Sequence, residues 1–116
     1  VSVVGYRLTR AAEEDIGGIL RATAIQFGPH QRDRYAELLE EAAGSVARNP
    51  FRPGSLARDS LAPGVRSFHI SLSASRRGAA SHILFYAVEP ETGGTSRIVI
   101  LRVLHERMDP ERHLID

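Results

Sequence analysis

Arg66, His82, Arg102, His105, Arg107 and His113 are the side chains of this chain best suited to cutting a phosphodiester. RNA cleavage calls for a proton acceptor near the 2′-hydroxyl and for cations on the scissile phosphate. Imidazoles and guanidiniums supply both. Lysine does not contribute, because all 15 basic residues are Arg. The chain therefore has fork-shaped donors for carboxylate and phosphate, and no amine for Schiff-base or general-base chemistry. No metal or other cofactor is expected. There is no Cys, and no pair of His residues has the His-x-x-x-His spacing that puts two ligands on one helix face. No phosphate-cradling glycine motif occurs, and Gly93-Gly94 reads as a hairpin turn. Nothing singles out a nucleophilic Ser.

Each of these residues also has a plain structural reading. His82 and Tyr86 share one strand face and read as packing. Arg102 lies inside an apolar strand, where an unpaired charge is costly. It is expected either to pair with a carboxylate such as Asp15 or Asp109, or to face a partner. His105, Arg107, Met108 and Asp109 follow the last strand, where an exposed loop suits contact with another protein.

The elements that must position these residues follow from periodicity. The chain has 116 residues and is 42% hydrophobic, enough for one domain over residues 1–116 with a core that needs no disulfide or metal. Val3 to Leu8 predicts a short strand. Thr9 offers an N-cap oxygen, and Ala12, Ile16, Ile19, Leu20, Thr23 and Phe27 recur at helical spacing. Gly28 closes that helix and Pro29 opens the next, which runs to Arg48 with Tyr35, Leu38, Leu39, Ala42, Ala43 and Val46 as its apolar stripe. The tight junction predicts an antiparallel helix hairpin. Gly17 and Gly18 inside the first helix suggest a close approach of the two helices.

Residues 49–64 read as a turn-rich connection. Strands are expected over Arg66 to Leu72, with Phe68, Ile70 and Leu72 on one face, then over Ser81 to Val88 and Arg97 to Leu104. Glu91 to Thr95 makes the last hairpin turn. The fold class is thus α+β, in the order β-α-α-β-β-β, with the helix hairpin packed on a mostly antiparallel twisted sheet.

Charge is unevenly placed. Residues 10–45 carry four Arg against seven Asp/Glu, a balance of −3. Residues 48–77 carry six Arg against one Asp, a balance of +5, and residues 78–116 return to −2. A basic middle suits an acidic partner. No apolar run is long enough to span a membrane, and Val1 to Leu8 lacks the pattern of a signal peptide. The absence of Cys is compatible with the cytosol without requiring it; a cytoplasmic setting is the expectation.

The stretch Arg97-Ile-Val-Ile-Leu-Arg-Val-Leu-His-Glu-Arg-Met-Asp109 carries a resemblance. Its end, Arg102 to Asp109, is similar to the Arg-Val-Leu-His-x-Arg-Met-Asp run that closes the last strand of ParE toxins, in the RelE/ParE superfamily. Tyr6-Arg-Leu-Thr9 with Ala12 and Asp15-Ile16 looks like that family's strand-to-helix opening. Pro63-Gly64-Val65-Arg66 looks like its turn into the second strand, and His82-Ile-Leu-Phe-Tyr86 like its aromatic third strand. Ala87 departs from the pattern, since relatives often carry Arg there. Arg76-Arg77-Gly78-Ala79-Ala80 lengthens the preceding hairpin.

The resemblance implies a type II toxin held inactive by a ParD-like antitoxin in a hetero-oligomer, with DNA gyrase as target and DNA contacted only through the antitoxin. The RelE branch of the same fold instead cuts mRNA on the ribosome, so fold leaves activity open. This chain ends at Asp116 without the terminal Tyr that such cleavage uses. The partner-binding residues expected on this reading are Arg66, Arg76, Arg77, Arg102, His105, Arg107, Met108 and Asp109. The alternative ribonuclease set is Arg66, His82, Arg102, His105 and His113. A third reading is a binding module of the same fold without toxicity.

Overall fold

A computed structural model describes residues 5–74, 80–92 and 95–114. Strand β1 (Tyr6–Leu8) leads into helices α1 (Arg10–Phe27) and α2 (Pro29–Arg48). Strands β2 (Leu56–Ala57) and β3 (Val65–His69) follow, then a 3-10 turn over Ile70–Ser73. Strands β4 (His82–Thr92) and β5 (Thr95–His105) form the long hairpin, and helix α3 (Pro110–Leu114) ends the described chain. The sheet order is β1-β5-β4-β3-β2, with β1 parallel to β5 and the other neighbours antiparallel. This is the expected α+β class and helix-hairpin arrangement. Arg76, Arg77 and Gly93-Gly94 lie outside the described residues.

The helix ends form for local reasons. Thr9 caps α1, its hydroxyl oxygen accepting the Ala12 N–H at 3.0 Å. Gly28, at φ +92°, ends α1 and starts α2 in a left-handed conformation that a side chain would resist. The hairpin buries Ala12, Leu39, Ala42, Ala43 and Val46 against Phe68, Leu84, Tyr86, Ile98, Ile100 and Val103. A smaller cluster on the other side of the sheet joins Leu61, Val65, Phe85 and Leu104, with Leu114 of α3 packed against it. Cross-strand partners share a face. The register Leu84↔Val103 and Phe85↔Arg102 therefore assigns Arg102 to the face of the smaller cluster.

Four expectations need correction. The strand expected to run to Leu72 stops at His69. The His69 ring nitrogen accepts the Ser71 N–H, which turns the chain into the 3-10 segment. Ile70 stays buried while Leu72 points out, 56% exposed, so Phe68, Ile70 and Leu72 do not share a face. The 49–64 connection contains β2, a strand too short to show a two-residue alternation. The Asp109-Pro110 pair starts α3, with Asp109 accepting the Glu111 N–H at 3.1 Å. Finally, a Cβ at Gly17 or Gly18 would meet only the Arg21 guanidinium of the same helix. Close helix–helix approach is not the reason for these glycines.

Candidate functional site

Strand β5 extends past the short β1, so its backbone from Leu101 onward would be an open edge. The start of α1 closes it. Thr9 donates its hydroxyl proton to the Leu101 carbonyl at 2.8 Å, and its own N–H bonds the Ile100 carbonyl at 3.1 Å. Asp15, in the second turn of the helix, accepts the Val103 N–H at 3.0 Å. The same carboxylate takes two hydrogen bonds from Arg102, Nε to Oδ2 at 2.7 Å and Nη2 to Oδ1 at 2.9 Å. A third bond runs from Arg102 Nη1 to the backbone carbonyl of His113 in α3, at 2.9 Å. Arg102 is thus a clamp between α1, β5 and α3. Of the two carboxylates named from sequence, Asp15 is its partner. The bidentate geometry holds the Arg102 guanidinium still more firmly in its charged form.

The β-bulge between Phe85 and Tyr86 is what brings this about. Tyr86 faces Ile100 and Phe85 faces Arg102, so Leu101 is the extra residue on β5. After the bulge, Val103 continues the helix-facing core and Arg102 is aimed around the edge.

Histidines gather where these strands end, three residues beyond Arg102 on β5. His69 ends β3, His82 starts β4 and His105 ends β5. His82 and His105 are register partners, their rings edge to face with centroids 5.4 Å apart. From α2, the Tyr35 hydroxyl reaches His82 Nδ1 at 2.6 Å and accepts the Ser81 N–H at 3.3 Å. His105 Nδ1 accepts the Arg107 N–H at 3.1 Å. His69 Nδ1 accepts from Ser71, and its Nε2 lies 2.7 Å from Glu106 Oε1.

Burial, together with the neighbouring His105, pulls His82 down to a pKa of about 4 and keeps it neutral at physiological pH. The hydrogen bond from His69 holds Glu106 below the usual carboxylate range. The Nδ1 atoms of His69 and His105 each accept a backbone N–H, and His82 Nδ1 is paired with the Tyr35 hydroxyl. Among the described residues no group of His, Asp and Glu is arranged to hold a metal ion.

The expected site residues fall into separate places. Arg66 pairs with Tyr86 across β3 and β4, on the helix-facing side. Its Nε donates to Ser55 Oγ at 2.8 Å, and its guanidinium lies 4.7 Å from the centroid of the Phe51 ring. Ser55 in turn touches the buried Tyr86 hydroxyl at 2.6 Å, and that hydroxyl donates to the Pro50 carbonyl. Arg66 and Arg102 therefore leave opposite faces of the sheet and do not converge on one phosphate. His82 and His105 do come together. His113 meets Arg102 only through its backbone. Arg107, Met108 and Asp109 stand on the turn after β5, where Met108 is 39% exposed.

Tyr35, His69 and Glu106 belong to the histidine cluster and were missed from sequence. The available signal was one His at an end of each of three consecutive strands.

Fold and site together define a small α+β protein with exposed turns, in which Arg66 and Arg102 lie on opposite faces of the sheet. The comparisons carry this further. Residues 6–110 match the family described as "ParE toxin of type II toxin-antitoxin system, parDE". The chain is 36% identical over 109 residues to Toxin ParE1 of two Mycobacterium tuberculosis strains, spanning 94% of this chain and 96% of the relative. It is 29% identical over the same shares to Toxin ParE1 of Caulobacter vibrioides. The chain belongs to the ParE toxin family of type II toxin–antitoxin systems.

Proposed function

We propose that this chain is one toxin domain that inhibits DNA gyrase, and so replication, by binding rather than by cutting. A ParD-like antitoxin neutralises it in a cytoplasmic hetero-oligomer and supplies whatever contact the complex makes with DNA. The observation that carries this reading is the turn His105-Glu-Arg-Met-Asp109. It stands exposed at the end of β5, anchored by the Arg107 N–H to His105 on one side and by the Asp109 cap of α3 on the other. An Arg and a Met presented on a rigid turn suit a protein interface. The engaged imidazoles and the divided arginines speak against the ribonuclease alternative. No helix among the described residues is long and apolar enough to cross a membrane.

The antitoxin has an apolar cleft available to it. Tyr6, Leu8, Ile16, Leu20, Leu39 and Ile100 line about 210 Å³ between the hairpin and the sheet, the kind of groove that takes an apolar helix face.

Purified gyrase tests the proposal. The chain should block supercoiling, a cognate antitoxin should restore it, and Arg107→Glu with Met108→Glu should lower inhibition at least tenfold without loss of fold. Full supercoiling at saturating toxin, with cleavage of ribosome-bound mRNA instead, would transfer the function to the interferase reading.

A further inference from the structure

Three successive amides of the turn after β5 are held in different ways. The Glu106 N–H bonds the Ser81 carbonyl at 2.8 Å, and the Met108 N–H bonds the His105 carbonyl at 2.9 Å. Both acceptors are backbone oxygens and keep their lone pairs at any ordinary pH. The Arg107 N–H between them bonds a side chain instead, His105 Nδ1, at 3.1 Å. That acceptor exists only while the nitrogen carries no proton. The amide it holds belongs to the exposed Arg of the turn.

The other two imidazoles at this end of the sheet meet acid differently. His69 can take a second proton and still find an acceptor for each ring N–H. Glu106 Oε1 lies 2.7 Å from its Nε2, and Ser71 Oγ lies 2.7 Å from its Nδ1. The link to Glu106 then becomes an ion pair and still ties the turn to β3. His82 stays neutral down to about pH 4, chiefly because it is buried. His105 alone of the three has only a donor, the Arg107 N–H, bonded to its Nδ1. Among the described residues, the titratable and charged groups around His105 are His82 of β4, with Tyr35 of α2 and His69 of β3 next to it, and Glu106 and Arg107 on the turn itself. Glu106 favours a proton on His105, while Arg107 and a charged His69 oppose it.

We propose that His105 is a positioning residue for the turn, and that a proton on its ring releases the Arg107 amide and weakens contact with the target. The release is local, because the Glu106 and Met108 amides keep their backbone acceptors. It rests on the gyrase reading only for what the loosened turn does to binding. The bond itself, and its loss in acid, belong to the free chain.

Amide exchange of the full isotope-labelled chain, followed from about pH 8 to about 5, where imidazoles take up charge, tests the bond without gyrase. Corrected for the intrinsic rate, protection at Arg107 should fall at least about fivefold in step with the His105 ring-proton shift, while protection at Met108 holds. In His105→Asn the side-chain oxygen can accept the same N–H in an Asx turn, so Arg107 should stay protected throughout. In His105→Phe it should be unprotected at every pH. Affinity for purified gyrase should fall about threefold between about pH 8 and about 6 in the wild type, the effect of one neutral hydrogen bond. In His105→Asn, whatever its absolute affinity, the two values should be equal. Protection at Arg107 that ignores the charge on His105, or that persists in His105→Phe, would overturn the proposal. A pH dependence of gyrase binding shared by the wild type and His105→Asn would overturn the effect on the target. If gyrase does not bind at either pH, the target reading fails, and the amide data still uphold or sink the positioning role.

Discussion

The two edges of this sheet are finished in opposite ways. At the β1–β5 edge, the strand that would lie open is closed from within, by Thr9 on the Leu101 carbonyl and Asp15 on the Val103 N–H. The charge of Arg102 is neutralised there by Asp15. At the β2 edge, the strand is only two residues long, and its arginines rest on aromatic rings rather than on carboxylates. Short edge strands and charge are both ways of keeping an open edge from pairing indiscriminately. The closed edge is a matter of folding. The open one holds its arginines on aromatic rings, Arg52 on Phe68, Arg58 on Phe85 and Arg66 on Phe51.

The comparison breaks most visibly at Asp15. Asp15→Ala leaves Arg102 without its carboxylate and the Val103 N–H without its acceptor. Removing one partner of a largely buried pair costs about 3 kcal/mol, to be read as a lower urea midpoint. Asp15→Asn, which can still accept from Val103, should lose less. If Asp15→Ala unfolds at the wild-type midpoint, the edge is not held by this carboxylate.

The strand ends at His82 give the next effect. The fold depresses the His82 pKa from 6.5 to about 4, so the folded state favours the neutral ring. That stability is fully present above pH 6.5. It falls as pH drops from 6.5 toward 4, because there the unfolded chain binds the proton more readily. With water still reaching part of the ring, the loss is of order 2 kcal/mol. Denaturation across that window should show the slope in the wild type and a shallower slope in His82→Phe. Equal slopes would remove His82 as the cause.

Thr9→Ala loses the cap and the Leu101 contact together, about 1–2 kcal/mol, checked by thermal melting. Arg58→Ala at the open edge should change stability by less than about 0.5 kcal/mol. A large loss there would mean that the β2 edge is as structural as its opposite.

Local signals made much of this legible in the sequence. The Thr9 cap, the Gly28-Pro29 junction and the periodicity of α1, α2, β4 and β5 are encoded within a few residues of where they act. Asp15 as a partner for Arg102 was one of two choices, since sequence shows that a buried Arg needs an acid without saying which helix brings it. The bulge at Leu101 was invisible, because it shifts register without changing the apolar pattern. Strand β2 and the 3-10 turn after His69 are too short to hold a period. The histidine cluster was missed because its members lie far apart in the chain and meet only once three strand ends are aligned. Gly17 and Gly18 invited a packing explanation that the space around them does not support.

The most direct test is pulse-labelling of DNA and protein synthesis after the chain alone is induced in bacteria. The account predicts that DNA synthesis stops first, with the DNA-damage response raised, and that substitutions in His105 to Asp109 abolish the arrest. Protein synthesis stopping first, with DNA synthesis intact, would contradict it.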